Sequence, residues 1–311
     1  MKKKHTKSKL KHSFWEFYDK HYKLLAILPL LLLVFSAVGL TYQVIAHDGE
    51  IINRGISLSG GLEVTVELQE RLDEQEIQEM LQSDFSQNQV RVRVLQDRGM
   101  INGYTVESNI DDSFREEFLQ AVQNAFEVTR EDLSVQVTDS SLGQAFFQQV
   151  IQALIIALIV MAIVVYIAFR KIVPAVAIVL AVVIDLIVTL TIFDLTGQYL
   201  SAAGIAAFLM IIGYAVDTNI LLSTRLLKRA DEPFSERIKF AFKTGAFMSV
   251  TTITTIFVAF LFTNSEIISQ IMFILLIGLC VDFITTWMLN AGILRWYLES
   301  QKKMGAKNHG K

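Results

Sequence analysis

Long apolar runs dominate the chain. Residues 24–46, 146–169, 172–193, 201–224, 245–263 and 267–294 form six stretches interrupted by few or no charges. Each is close to the roughly 20 residues that a helix needs to cross a hydrocarbon core. They predict six transmembrane helices, because buried helices of soluble proteins seldom combine such length with so few charges. The first stretch reads as an uncleaved anchor: its apolar part is too long for a signal peptide, and Gly39-Leu40-Thr41-Tyr42 lacks a small-x-small cleavage site.

A different pattern fills the space between the first two runs. Residues 62–68 alternate apolar and polar with period two, as a half-buried strand does. Residues 73–85 read as a helix with Ile77, Leu81 and Phe85 on one face. Residues 90–94 alternate again, the Asp97-Arg98-Gly99 turn follows, and residues 104–107 form a further strand. Residues 113–126 are an amphipathic helix through Phe114, Phe118, Leu119, Val122 and Phe126, and residues 133–137 are the last strand. The order is β-α-β-β-α-β, the ferredoxin-like split motif. One sheet face is expected to carry both helices and the other to be open to a partner. The fold class is therefore an α-helical membrane protein with six transmembrane helices and one α+β ferredoxin-like domain.

Charge sets the orientation. Lysine and arginine concentrate at residues 1–23, at Arg170 and Lys171, along residues 225–244 and in the tail 295–311; every lysine lies on this side. The intervening short loops 194–200 and 264–266 carry neither. Positive residues stay cytoplasmic, so both termini are expected there. The ferredoxin-like domain, residues 47–145, is then extracytoplasmic. Residues 47–144 hold 20 acids against 7 arginines and no lysine. Such a surface argues against nucleic acid; it suits solvation, with cations or basic segments as possible contacts.

Composition narrows the chemistry. Hydrophobic residues make up 52% of the 311, charged residues 19%, and the mean hydropathy is +0.44. A soluble domain has about 25% charge, so a simple soluble globule is excluded. One cysteine, Cys280, and five scattered histidines exclude a disulfide framework and offer no metal-ligand spacing. The Gly60-Gly61 pair permits a sharp turn but is followed by no GK[ST], so it is no phosphate loop. No cofactor, metal or catalytic centre is expected.

Polar residues inside the spans remain. An ionisable group in hydrocarbon is costly and marks function by default. Asp185, Asp217 and Asp282 lie well inside the third, fourth and sixth runs, at depths that overlap and allow one polar seam. Asp282 reads either as functional or as an acceptor for Thr285, Thr286 or a neighbouring helix. Asp217 belongs to the densest polar cluster, with Thr218 and Asn219. Ser249, Thr251, Thr252, Thr254 and Thr255 in the fifth run read either as the lining of a hydrated path or as helix glue. Arg225 reads as a snorkelling anchor at the cytoplasmic edge. The small residues Ala202, Ala203, Gly204, Ala206 and Ala207 favour close helix association.

Together these features resemble the SecF family of the resistance–nodulation–division superfamily. Gly55–Gly61, G-I-S-L-S-G-G, is similar to the family's G-x-D-F-x-G-G, with Gly55, Gly60 and Gly61 retained and Ser57 at the acidic position. Gly213–Arg225, G-Y-A-V-D-T-N-I-L-L-S-T-R, resembles the bacterial span-four signature G-Y-S-x-N-D-T/S-x-V-V-x-D-R. Here Asp217 replaces its Asn, Thr218 its first Asp and Thr224 its second, a form that looks like the archaeal branch. Asp185 falls where the family has a His-Asp pair, with Ile184 in place of the His. The resemblance implies a role for Asp185 and Arg225 in proton movement coupled to protein export. It leaves the proton route through Asp217 and Thr218 less defined than in bacteria. It also implies a SecD-like six-span partner, the Sec translocation channel and secreted polypeptides as contacts.

Rival readings differ in what they require. A lipid or small-molecule exporter of the same superfamily usually has twelve spans in one chain. A passive scaffold of the channel needs no proton chemistry. An intramembrane aspartyl protease would pair Asp185 with Asp217, but G-Y-A-V-D lacks the G-x-G-D form of that family.

Overall fold

The computed structural model describes residues 15–308 except 16, 17, 19, 47–51, 53, 87, 98–99, 229–231 and 264. The predicted Asp97-Arg98-Gly99 turn and the lysines of the first dozen residues thus fall wholly or partly outside the described residues.

The small domain is a four-stranded antiparallel sheet carrying two helices. Its elements are β1 (Gly61–Val66), β2 (Val90–Asp97), β3 (Met100–Ser108) and β4 (Leu133–Thr138), in the order β2-β3-β1-β4. After the first run, α1 (Ile27–Ala46), a short helix α2 (Ile56–Ser59) leads into β1; α3 (Glu74–Asp84) follows β1 and α4 (Arg115–Phe126) precedes β4. Alternation dictates the packing: Leu62, Val64 and Val66 are fully buried, as are Phe118, Leu119 and Val122 of α4. Each such side chain contributes about 1.5–3 kcal/mol by leaving water. Tyr104 is buried in the same core, where its hydroxyl accepts from the Leu72 amide at 2.7 Å and donates to the Glu70 carbonyl at 3.0 Å.

Two details depart from the sequence pattern. The third strand begins at Met100, earlier than its alternation suggests, because a register shift between Leu95 and Gln96 lets Gly103 and Ile101 pair out of phase. Phe114 is 55% exposed, not part of the helix face. It closes a 3-10 turn ahead of α4, where the helical angle has not yet been set.

Six helices are long and apolar enough to cross a membrane. Besides α1 they involve α5 (Ser140–Phe169), α6 (Ile172–Asp194), α7 (Ala202–Lys228), α8 (Phe234–Phe262) and α9 (Glu266–Ile284). The last continues through a π turn (Thr285–Asn290) into α10 (Ala291–Asn308). Helices α7, α8 and α10 run past the apolar runs, so most of the basic stretches 225–244 and 295–308 are helical. Arg237 closes one such end: buried, it donates from Nη1 to the Leu226 carbonyl at 2.5 Å, near the C-terminus of α7.

Burial is uneven. Helix α6 encloses 61% of its most apolar window, against 11% for the first span and for α5. It is the central helix of the bundle, which is why a carboxyl on it can be shut away from both lipid and water. Helices α7 and α9 meet closely at Gly278, where a Cβ would stand 2.3 Å from Ile211.

Candidate functional site

A polar cluster lies inside this bundle. Asp185 of α6, Asn219 of α7, and Asp282, Thr285, Thr286 and Asn290 of α9 and its π turn are all at most 1% exposed. The π turn sets the geometry of the last helix. Its wider step, with the Ala291 amide bonded to the Thr286 carbonyl, keeps Thr285, Thr286 and Asn290 on the inside together. Such turns recur at functional positions in helices.

The bonding is specific. Thr285 Oγ1 donates to Asp185 Oδ1 at 2.6 Å and also lies 3.2 Å from the Asp282 carbonyl oxygen. Asp185 Oδ2 has no hydrogen-bond partner. Asp282 Oδ1 accepts from Thr286 Oγ1 at 3.0 Å and from Asn219 Nδ2 at 3.4 Å. Asn219 Oδ1 in turn accepts from Asn290 Nδ2 at 2.5 Å, while Asn290 Oδ1 is left without a partner. The two aspartates therefore sit on facing helices, with Thr285 between the Asp185 carboxyl and the Asp282 main-chain carbonyl. An unpaired charge buried like this costs several kcal/mol.

The structure sorts the residues singled out from the sequence. Asp185, Asp282 and Asn219 come together. Asp217 does not join them: it is exposed on the outer face of α7. Thr218 Oγ1 back-bonds to the Tyr214 carbonyl at 3.2 Å, and its side chain also reaches the Asp282 carboxyl. Arg225 lies two turns on, with its guanidinium 3.9 Å from the centroid of the Phe240 ring. Thr251 and Thr255 are exposed on α8 and donate to carbonyls of their own helix at 2.6 Å (Phe247) and 2.9 Å (Thr251). Thr286 serves Asp282 as the sequence suggested, but Thr285 gives its short bond to Asp185. Asn290, Thr189 and Ser223 were not singled out, and all three are buried with an oxygen lacking a partner. The i, i+4, i+8 spacing of Asp282, Thr286 and Asn290 was the available signal.

A second polar assembly joins the domain to the membrane helices. The Gly55 amide donates to the Leu200 carbonyl at 2.9 Å, and the Ala202 amide at the start of α7 donates to Ser57 Oγ at 3.1 Å. Ser57 thus satisfies one of the amides that a helix start leaves open. Leu58, next in the chain, is fully buried in the membrane-helix core. Gly60 ends α2 at φ 82°, and Gly61 has φ 139°. A Cβ on Gly61 would stand 2.2 Å from the Ser108 carbonyl oxygen, so only glycine passes there.

One end of the sheet's open face meets this junction, so that face is not wholly free. Arg91 lies 4.9 Å from the centroid of the Tyr199 ring, and Glu63, Arg93 and Glu107 line a cavity with Ser201 and Gln270. Arg93 pairs with Glu107. Burial, and then the Glu107 carboxylate, push the Glu63 carboxyl up, while Arg93 opposes them.

This architecture has known relatives. Residues 117–300 match the family described as protein export membrane protein SecD/SecF, C-terminal. The protein-export membrane protein SecF of Methanolacinia petrolearia is 33% identical over 285 residues, covering 90% of this chain and 95% of that one. Its counterpart from Methanocaldococcus jannaschii is 34% identical, covering 90% and 96%. The fold is that of SecDF, a translocon-associated membrane protein from Thermus thermophilus, with a TM-score of 0.69 at 20% identity over 89% of this chain. SecDF in its super-membrane-facing form gives 0.60 at 19% identity over 93%. The chain spans 38% and 39% of the lengths of those two proteins. With matches of this extent to full-length relatives, the chain belongs to the SecF family of protein-export membrane proteins.

Proposed function

We propose that this chain promotes protein export across the cytoplasmic membrane as half of a proton-driven device. A SecD-like six-span protein supplies the other half, and the Sec translocation channel and secreted polypeptides are the further contacts. Both termini face the cytoplasm, and residues 47–145 lie outside, on the distribution of lysine and arginine.

The observation that carries this reading is Asp185, fully buried on the central helix, with one hydroxyl donor and one open oxygen. A threonine hydroxyl has a single hydrogen. While Asp185 is ionised, Thr285 gives that hydrogen to Oδ1. Once Asp185 is protonated, its own O–H can donate, and Thr285 is released to the Asp282 carbonyl. Protonation on α6 thereby changes the bonding at the start of the π turn in the last span. One charge crossing 100 mV is worth about 2.3 kcal/mol, enough to bias two packings of the bundle by more than tenfold. The junction at Ser57 and Leu58 would pass the change to the external domain.

The polar residues left outside the cluster support a partner. Asp217, Thr251 and Thr255 are exposed at membrane depth. Lipid is a poor neighbour for a carboxylate, so the α7–α8 face carrying them is where the second six-span protein docks.

The scaffold reading draws on Arg225, which stacks on Phe240 at the helix end. Export rates in the native host separate the two. Wild type is compared with Asp185→Asn and Arg225→Ala at matched membrane levels, with the proton gradient intact or collapsed. Loss of gradient-dependent export in Asp185→Asn, with the complex still assembled, supports the proton reading; normal export in that variant leaves the scaffold.

A further inference from the structure

We propose that a cavity near the cytoplasmic ends of the helices holds one hydrocarbon chain of an anionic membrane lipid, with the lipid's headgroup on Lys239 and Lys243. The cavity measures about 200 Å³ and lies between Trp15 and Tyr18, before the first span, and helices α8 and α9. Ile238, Phe242, Phe283 and Trp287 form its walls. Among the described residues the lining is apolar but for two indoles, of Trp15 and Trp287, and the Tyr18 hydroxyl. The Tyr18 hydroxyl is engaged elsewhere, donating to the Trp287 carbonyl at 2.8 Å.

That chemistry selects the occupant. Water needs two to four polar partners to settle in a cavity, and a lining this predominantly apolar falls short of that. An empty apolar cavity of this size is strongly unfavourable. The cavity lies where the apolar part of α8 gives way to its basic end, so the chain of a lipid anchored at that boundary is the filler at hand.

Charge selects the headgroup. Lys239 and Lys243 follow the wall residues Ile238 and Phe242 directly on α8, and both are exposed. The Lys239 ammonium lies 5.8 Å from the centroid of the Trp15 ring, at the rim of the cavity. Beyond Glu236, α8 carries no acid. The Lys239 ammonium at the rim, with Lys243 one turn further along α8, fits a phosphate with an acyl or isoprenoid tail, and basic pockets between helices on the cytoplasmic side bind such lipids.

The test uses the full chain, purified with its partner and placed in nanodiscs. Spin-labelled phosphatidylglycerol and phosphatidylcholine are the probes, and native mass spectrometry counts retained lipid. The expected result is one phosphatidylglycerol held per chain in preference to phosphatidylcholine. Lys239→Ala with Lys243→Ala, both at exposed positions, should weaken phosphatidylglycerol binding on the order of 20-fold and leave phosphatidylcholine nearly unchanged. Met288→Trp, which fills the cavity, should abolish retention of both while thermal unfolding shows the fold intact. The proposal is overturned by a wild type that retains no lipid. It is overturned equally by lipid binding indifferent to the two lysines, or by a photocrosslinker at Met288 that captures the partner protein in place of lipid.

Discussion

The Thr285 hydroxyl, 2.6 Å from Asp185 Oδ1, ties the central helix α6 to the π turn of the last span. It is the only hydrogen-bond donor to that carboxyl among the described residues. Thr285→Val keeps the shape and removes the donor. Leaving a buried acceptor unsatisfied costs about 1–3 kcal/mol, and more if it is charged. We expect Thr285→Val to lower thermal stability by that order and to reduce gradient-dependent export, and Thr285→Ser to restore both. Equal export from the Val and Ser variants would remove Thr285 from the mechanism.

The Asn290–Asn219–Asp282 chain makes a separate claim. A double-mutant cycle on Asn219→Ala and Asn290→Ala should give a coupling of about 0.6–1.7 kcal/mol in unfolding from detergent or bicelles, the range for hydrogen bonds between membrane helices. A coupling near zero would mean that the 2.5 Å contact contributes no stability.

Much of this was legible beforehand, for physical reasons. Six apolar runs and the β-α-β-β-α-β order follow from periodicity, which hydrophobic burial imposes directly on sequence. Asp185 and Asp282 stand out because charge in hydrocarbon is rare. What the sequence hides is azimuth. Asp217 is two residues from Asn219, about 200° around a helix, so one faces outward while the other completes the buried cluster. A π turn has no simple sequence signature, so nothing singled out Asn290, which is part of the centre. Ser57 looked like the loss of an acid; its hydroxyl serves the start of α7 instead.

Gly61 tests the junction between domain and membrane. Its positive φ excludes a side chain, and so does the Ser108 carbonyl oxygen, 2.2 Å from where a methyl would stand. Gly61→Ala should cost more than about 1 kcal/mol and shift β1 against β3. Ser57→Ala removes only the acceptor for the Ala202 amide and should be milder than Gly61→Ala, about 0.5–1 kcal/mol by analogy with helix caps. Thermal unfolding of the two variants side by side gives the order; a Gly61→Ala protein as stable as Ser57→Ala would contradict the close approach.

Glu63 carries a pH dependence whose direction is fixed by its surroundings. Burial and the neighbouring Glu107 hold its carboxyl above the ordinary 4.5, against the pull of Arg93. The folded chain therefore binds this proton more tightly than the unfolded chain does. Stability from this group is full below pH 4.5 and declines as pH rises through the raised value. Glu63→Gln removes the titration, so its melting temperature should exceed that of wild type at about pH 7 and converge with it near about pH 4. Because the side chain is half-buried, solvent screening keeps the gain at neutral pH under about 1 kcal/mol. Melting curves of the full chain between about pH 4 and 8 make the comparison, and a Glu63→Gln variant that tracks wild type throughout would show that Arg93 already neutralises the strain.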